Sequence, residues 1–193
     1  MDLVIVNYGA GNIQSIRFAF QRLGYSLELS SDPDRIRRAD KVIFPGVGEA
    51  SSAMAKLTHS GLEALIPELK QPVLGICLGM QLMCRSTEEG PTRGMGIFDV
   101  DVLRFDGKLK VPQIGWNSIH DLKSPLFAGV RESEFIYLVH SYYAPLCEET
   151  IAVSDYGLPY SAALAKDNFF GVQFHPEKSG RAGALMLSNF LKL

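Results

Sequence analysis

Apolar residues fall along the chain in two different rhythms. Leu3-Val4-Ile5-Val6 is an unbroken, largely β-branched run ended by Asn7-Tyr8-Gly9, the mark of a strand buried on both faces. Ile13, Ile16, Phe20 and Leu23 then recur at intervals of three, four and three. This spacing predicts a helix with one apolar face, Asn12 as its N-cap and Gly24 as its stop. Leu27-Glu28-Leu29 predicts a second strand, and Val42-Ile43-Phe44 a third that stops at Pro45-Gly46. Helical patterning covers residues 49–69, and Val73-Leu74-Gly75-Ile76 predicts a fourth strand running straight into Cys77. Strands apolar on both faces and alternating with helices imply a parallel sheet covered on two sides.

The rhythm changes after Glu88. Residues 97–103 alternate apolar and charged side chains, as a half-exposed strand does. Phe135 to Tyr143, Ile151 to Val153, Ser161 to Ala165 and Phe169 to Phe174 predict further strands with few helices between them, so this half should hold antiparallel strands. Ala182, Leu185, Met186 and Phe190 close the chain at helical spacing behind Ser179. The expected fold class is α/β, a central, mainly parallel sheet flanked by helices with additional antiparallel strands in the C-terminal half. No repeat, low-complexity tract or long linker interrupts it, so residues 1–193 are expected to form one domain.

Composition narrows the chemistry. A net charge of −2, from 19 Lys and Arg against 21 Asp and Glu, argues against a general nucleic-acid binder, which needs clustered positive charge. The cluster Arg35, Arg37, Arg38 and Lys41 reads as a solvated face. No apolar run approaches the roughly 20 residues needed to cross a bilayer. The opening Met1-Asp2-Leu3 has neither a basic segment nor a secretory cleavage pattern. Three cysteines do not make a disulfide framework and suit a reducing compartment, the cytoplasm. Cys77, Cys84 and Cys147 match no zinc spacing with the histidines, so neither metal nor cofactor is expected.

Gly75-Ile76-Cys77-Leu78-Gly79-Met80-Gln81 places a nucleophile between two glycines at a strand-to-helix junction, a nucleophile elbow with cysteine in place of serine. The turn lifts the side chain off the sheet, and the following helix aims its positive end at the sulfur and favours thiolate. The Leu78 N–H can face an oxyanion. The competing reading is a cysteine simply buried in an apolar strand. Cys84, seven residues on, is expected two turns down the same helix, in the core.

Such a nucleophile needs a base, and the base an orienter. His59 has a helix-end setting, His120 a strand exit, and His140 lies inside an apolar strand. His175 differs, because it ends an apolar strand and precedes Pro176-Glu177. A residue before proline is extended, and in extended chain residues two apart point the same way. His175 and Glu177 should therefore project to one side, unless this is only a strand-end turn with a surface glutamate. Two glycine-rich turns also stand out. Gly9-Ala10-Gly11-Asn12-Ile13-Gln14 resembles a dinucleotide fingerprint, but Gln14 replaces its third glycine, which leaves a tight strand-to-helix turn. Pro45-Gly46-Val47-Gly48 can present backbone amides, those of Val47 and Gly48, as a second oxyanion donor.

Taken together, the elbow and His175-Pro176-Glu177 resemble the class I (triad) glutamine amidotransferases. Asn7-Tyr8-Gly9-Ala10-Gly11-Asn12, Pro45 to Gly48, Pro112-Gln113-Ile114-Gly115-Trp116-Asn117, Val139-His140-Ser141-Tyr142-Tyr143 and Gln173 to Ser179 are similar, more narrowly, to the glutaminase-subunit family of imidazole glycerol phosphate synthases. The similarity spans essentially the whole chain, in order. Gln113 departs from the histidine usual in that family, and Glu49-Ala50-Ser51 is atypical. The resemblance implies hydrolysis of L-glutamine to glutamate and ammonia. The ammonia would pass to a cyclase subunit, in a heterodimer that makes imidazole glycerol phosphate and aminoimidazole carboxamide ribotide in histidine biosynthesis. It implies Cys77 as nucleophile, His175 as acid–base and Glu177 as orienter. It implies Gly46, Gly48, Gln81, Ser141 and Tyr142 near bound glutamine, and Asn12, Trp116, Tyr137 and Lys178 at the partner interface. A glutaminase serving another synthase, a γ-glutamyl hydrolase and a non-catalytic interaction subunit are the alternatives on the same fold.

Overall fold

The structure, a computed structural model, describes residues 1–193. The first half alternates β1 (Leu3–Val6), α1 (Ile13–Arg22), β2 (Glu28–Ser30), α2 (Pro33–Arg37), β3 (Lys41–Gly46), α3 (Ala50–His59), α4 (Leu62–Leu65), β4 (Val73–Cys77) and α5 (Leu78–Met83). The second half is mostly strand: β5 (Cys84–Thr87), β6 (Thr92–Arg93), β7 (Phe98–Arg104), β8 (Gln113–Ile119), β9 (Glu134–His140), β10 (Tyr142–Tyr143), β11 (Thr150–Asp155), β12 (Pro159–Lys166) and β13 (Phe169–Val172). It closes with α6 (Gly180–Phe190). No helix is long and apolar enough to cross a membrane.

Seven strands form the central sheet in the order β11-β12-β13-β4-β3-β1-β2. From β2 to β13 neighbours run parallel, and β12 and β11 add an antiparallel edge. The expected α/β class, parallel in the middle with antiparallel additions from the C-terminal half, is the observed one. Alternation along each buried strand feeds two cores. Leu3, Ile5, Ile43 and Leu74 face α1 and α6, meeting Ile16, Phe20, Met186 and Phe190. Val4, Val6, Val42 and Phe44 face the other way, onto Ala53 and Leu57 of α3, Leu62 and Leu65 of α4, and Phe98 and Val102 of β7. A four-stranded sheet, β10-β7-β5-β6, and a two-stranded antiparallel ribbon, β8–β9, complete the molecule.

Several expectations are corrected. The third strand does not stop at Pro45. β3 parts from β1 after Ile43 but stays in register with β4 through Pro45–Ile76 and Gly46–Cys77, and a strand margin tolerates a proline. The run from Phe135 to Tyr143 breaks at Ser141 into β9 and β10, and β13 ends at Val172, two residues early. Asn12 occupies the N-cap position of α1 without a side-chain capping bond. Lys41 is not on a solvated face. It is buried, with Nζ 5.6 Å from the Phe190 ring centroid, and burial lowers its pKa. Arg35 bonds Asp2 and Glu28.

Candidate active site

Cys77 is the last residue of β4, with φ 53° and ψ −111°. An L-residue at positive φ is strained and persists only where its surroundings hold it there. Here three glycines do so. A Cβ on Gly79 would run into the Phe44 carbonyl, one on Gly46 into the Leu78–Gly79 backbone, and one on Gly75 into Met83 Sδ and the backbone of Met80. They allow β3, β4 and α5 to approach closely enough to push Cys77 out of the sheet. Helix α5 is only six residues long, shorter than the pattern suggested. It ends at Met83, so Cys84 opens β5 rather than lying two turns down the helix, although it is buried as expected.

His175 and Glu177 arrive from the far end of the chain. β13 lies parallel to β4 with Val172 opposite Ile76, so the chain leaving β13 emerges beside Cys77. His175 Nδ1 lies 2.9 Å from Glu177 Oε1, both side chains being buried. His175 is extended, as its place before proline requires. Glu177 meets it differently from the expectation: Pro176–Lys178 form a 3-10 turn, and the carboxylate reaches back to the ring across that turn. Burial pushes the imidazole pKa down. Hydrogen bonds and charge from Cys77 and Glu177 outweigh it and hold the pKa up, at about 10. Glu177 Oε2 is buried without a hydrogen-bond partner, so this carboxylate serves His175 alone.

Around the sulfur the structure gathers further groups. The thiol can donate to Val139 O, 3.8 Å away, and Gln173 Nε2 can donate to Sγ at 3.7 Å. Gln173 Oε1 accepts from Gln81 Nε2 at 2.9 Å, and the same Nε2 donates to Tyr142 O at 3.0 Å. His140 Nδ1 donates to that carbonyl at 2.7 Å. Gly46 is paired with Cys77, which brings Val47 and Gly48 to the elbow; both are exposed, and Gly48 has φ +97°. Tyr8 reaches under this turn to donate to Pro45 O at 2.7 Å. Burial first, and the charge of Cys77 second, raise its pKa. His59 is exposed on α3, and His120 bonds Asp155 at 2.7 Å, so neither joins the site.

Three of the residues expected at an interface, Trp116, Tyr137 and Lys178, form a connected surface. Trp116, opposite Tyr137 in the ribbon, packs edge-to-face on it at 5.9 Å and is 56% exposed. Lys178 Nζ stands 5.8 Å over the same Tyr137 ring. A depression of about 590 Å³ opens beside Trp116, walled by Lys110, Asn117 and Asp155. Asn12 stands at the N-cap position of α1, at the end of the loop where Gly11 packs against Pro45. Gln113 is buried and accepts from the Tyr160 hydroxyl at 3.2 Å. Sequence reasoning passed over Gln173, Tyr8 and Ser179. Gln173 carried a signal, an uncharged polar residue inside an apolar strand and two positions before His175.

Residues 4–193 match the family model for class-I glutamine amidotransferases. The chain is 55% identical over 196 aligned residues to "Imidazole glycerol phosphate synthase subunit HisH" of Bacteroides fragilis strain YCH46, covering all of both chains. It is 46% identical to the protein of the same name from Shewanella loihica, covering all of this chain and 91% of that one. Among solved structures, one titled a glutamine amidotransferase superposes with a TM-score of 0.74 at 17% identity, covering 98% of this chain and 97% of the other. PurLQS from Thermotoga maritima superposes with a TM-score of 0.71 at 17% identity, covering 100% and 99%. At such identity these two speak for the fold alone.

Proposed function

The chain belongs to the class I glutamine amidotransferase family, and from that premise we propose that it is the glutaminase subunit of an imidazole glycerol phosphate synthase. It hydrolyses L-glutamine to glutamate and ammonia and supplies the ammonia to a cyclase subunit in histidine biosynthesis. The observation that carries this reading is the strained cysteine at the elbow beside a buried histidine–carboxylate pair.

The chemistry follows from that pair. With Nδ1–H donated to Glu177, the other ring nitrogen of His175 is left for Cys77, and the raised imidazole pKa favours an imidazolium–thiolate pair. The thiolate attacks the carboxamide carbon of glutamine and forms a C–S bond. The carbonyl electrons move to oxygen, held by the amides of Leu78 and of Val47 or Gly48. Each such donor is worth about 3–4 kcal/mol in a measured protease. His175 protonates the nitrogen, the C–N bond breaks and ammonia leaves. His175 then takes a proton from water, the hydroxide attacks the thioester, and glutamate departs as the thiolate is restored. In this reading Gly46, Gly48, Gln81, Ser141 and Tyr142 line the glutamine site, and residues 1–193 act as one domain.

The partner reading assigns the cyclase, in a heterodimer, to the face carrying Trp116, Tyr137 and Lys178, and to Asn12 at the start of α1. An exposed tryptophan backed by a stacked tyrosine suits a protein interface. Three free cysteines suit a reducing compartment, which the cytoplasm provides. The test measures glutamate release by the chain alone, with a cyclase subunit, and with cyclase and its ribonucleotide ligand, for wild type and Cys77→Ser. Slow release alone, strong stimulation by cyclase with ligand, and none from Cys77→Ser in a complex that still runs on ammonium salts are expected. Retained glutamine-dependent turnover by Cys77→Ser would sink the proposal.

A further inference from the structure

We propose that Gln173 is a positioning residue of this site, whose buried side-chain amide presents a fixed N–H to the sulfur of Cys77. This rests on reading Cys77 as the nucleophile and concerns what holds its sulfur in the reactive state.

The direction of the amide follows from donors and acceptors. The Tyr142 carbonyl can only accept, so the Gln81 atom 3.0 Å from it is the nitrogen, Nε2. The same nitrogen lies 2.9 Å from the Gln173 amide, and the atom facing it there must be the oxygen, Oε1. Gln173 Nε2 is thereby turned onto Cys77 Sγ, at 3.7 Å. His140 anchors the start of this chain of bonds. Its Nδ1 lies 2.7 Å from the Tyr142 carbonyl and so carries a proton. Burial, and the charge of His175, keep the ring neutral to about pH 4 against the raising effect of that bond. Gln173 is fully buried, so turning its amide over would leave two polar groups facing the wrong partners.

A donor aimed at sulfur favours thiolate over thiol. Two other titratable groups bear on this sulfur: His175, backed by Glu177, and Tyr8, whose hydroxyl is given to Pro45 O and whose raised pKa keeps it protonated. The imidazolium loses its extra proton when it does its work. The Gln173 amide has none to lose, so its bond persists through every protonation state of the triad.

The test uses the full chain. Gln173→Glu keeps the shape and replaces the donor by oxygen; Gln173→Leu removes donor and acceptor. The rate of Cys77 alkylation by iodoacetamide is followed against pH by mass spectrometry. The midpoint is expected to rise by about one pH unit in both variants, which slows alkylation about tenfold at pH values below both midpoints. In wild type, the Gln173 Nε2 proton resonances should shift as Cys77 titrates and again on alkylation, which needs no variant to fold. A midpoint unchanged in either folded variant, or Gln173 amide protons blind to the state of Cys77, would overturn the proposal. Failure of the nucleophile reading looks different: wild-type Cys77 would then show no preference over Cys84 and Cys147, and no protection by glutamine.

Discussion

Tyr137 and His175 are bonded backbone to backbone: the His175 N–H donates to the Tyr137 carbonyl at 2.9 Å. The Ser179 hydroxyl closes the return path, accepting from Tyr137 N–H at 2.9 Å and donating to His175 O at 2.7 Å. The ribbon that shows Trp116 and Tyr137 to solvent is therefore tied, through β9, directly to His175. Ser179→Ala leaves the Tyr137 N–H without its partner and takes one of two donors from the His175 carbonyl, which still accepts from Lys178 N–H at 3.0 Å, so a loss of about 1 kcal/mol is expected. Urea unfolding measures it, with kcat for glutamine hydrolysis read alongside and expected to fall. An unchanged midpoint and rate would show the bridge to be idle.

Gly79→Ala drives a methyl group into the Phe44 carbonyl, a backbone atom that cannot swing aside. The elbow must open, at a cost of about 3 kcal/mol. Gly107→Ala meets nothing within 4 Å and is the control, expected within about 0.5 kcal/mol of wild type. Thermal unfolding of the two variants against wild type decides; equal tolerance would mean that the elbow is looser than its geometry.

On the proposed roles, loss of Glu177 should cost less than loss of His175. Glu177→Gln leaves an acceptor for His175 Nδ1–H, whereas His175→Ala removes the proton carrier. We expect kcat/KM to fall further in His175→Ala. The reverse order in two folded proteins would exchange their roles.

Stability should bend in opposite directions on the two sides of neutrality. His140 titrates at about 4 when folded, against an ordinary value near 6.5. Between these values the unfolded chain binds a proton that the folded chain refuses, so stability is lost as pH falls through that window, by about 3 kcal/mol. His175 is shifted upward, so its contribution is complete below about pH 6.5 and fades as pH rises towards its raised value. His140→Gln keeps a donor for Tyr142 and should flatten the acid limb only. Urea midpoints from pH 4 to 9 test this; an unaltered acid limb would refute the assignment to His140.

The sheet and the elbow were legible because burial on both faces writes an unmistakable pattern. β1, β3 and β4 are apolar at every central position, and the glycines flanking Cys77 mark a backbone crossing that no side chain survives. What escaped reading depends on partners distant in sequence. Pro45 stays in its strand because β4 continues beside it, and Lys41 is buried because Phe190 folds over it. The 3-10 turn at Pro176 was hidden because proline fixes the residue before it more tightly than those after. Gln173 and Gln81, 92 positions apart, have meaning only as a pair.

The place of β13 in the sheet bears on when reactivity appears. Cys77 is synthesised 98 residues before His175 and can meet it only once β13 has taken its place beside β4. Until then the thiol has neither imidazole nor carboxylate nearby and keeps the sluggishness of an ordinary cysteine. On the proposed mechanism an unfinished chain emerging from the ribosome is thus chemically quiet, and Cys77 gains its partners only with the closure that also buries it.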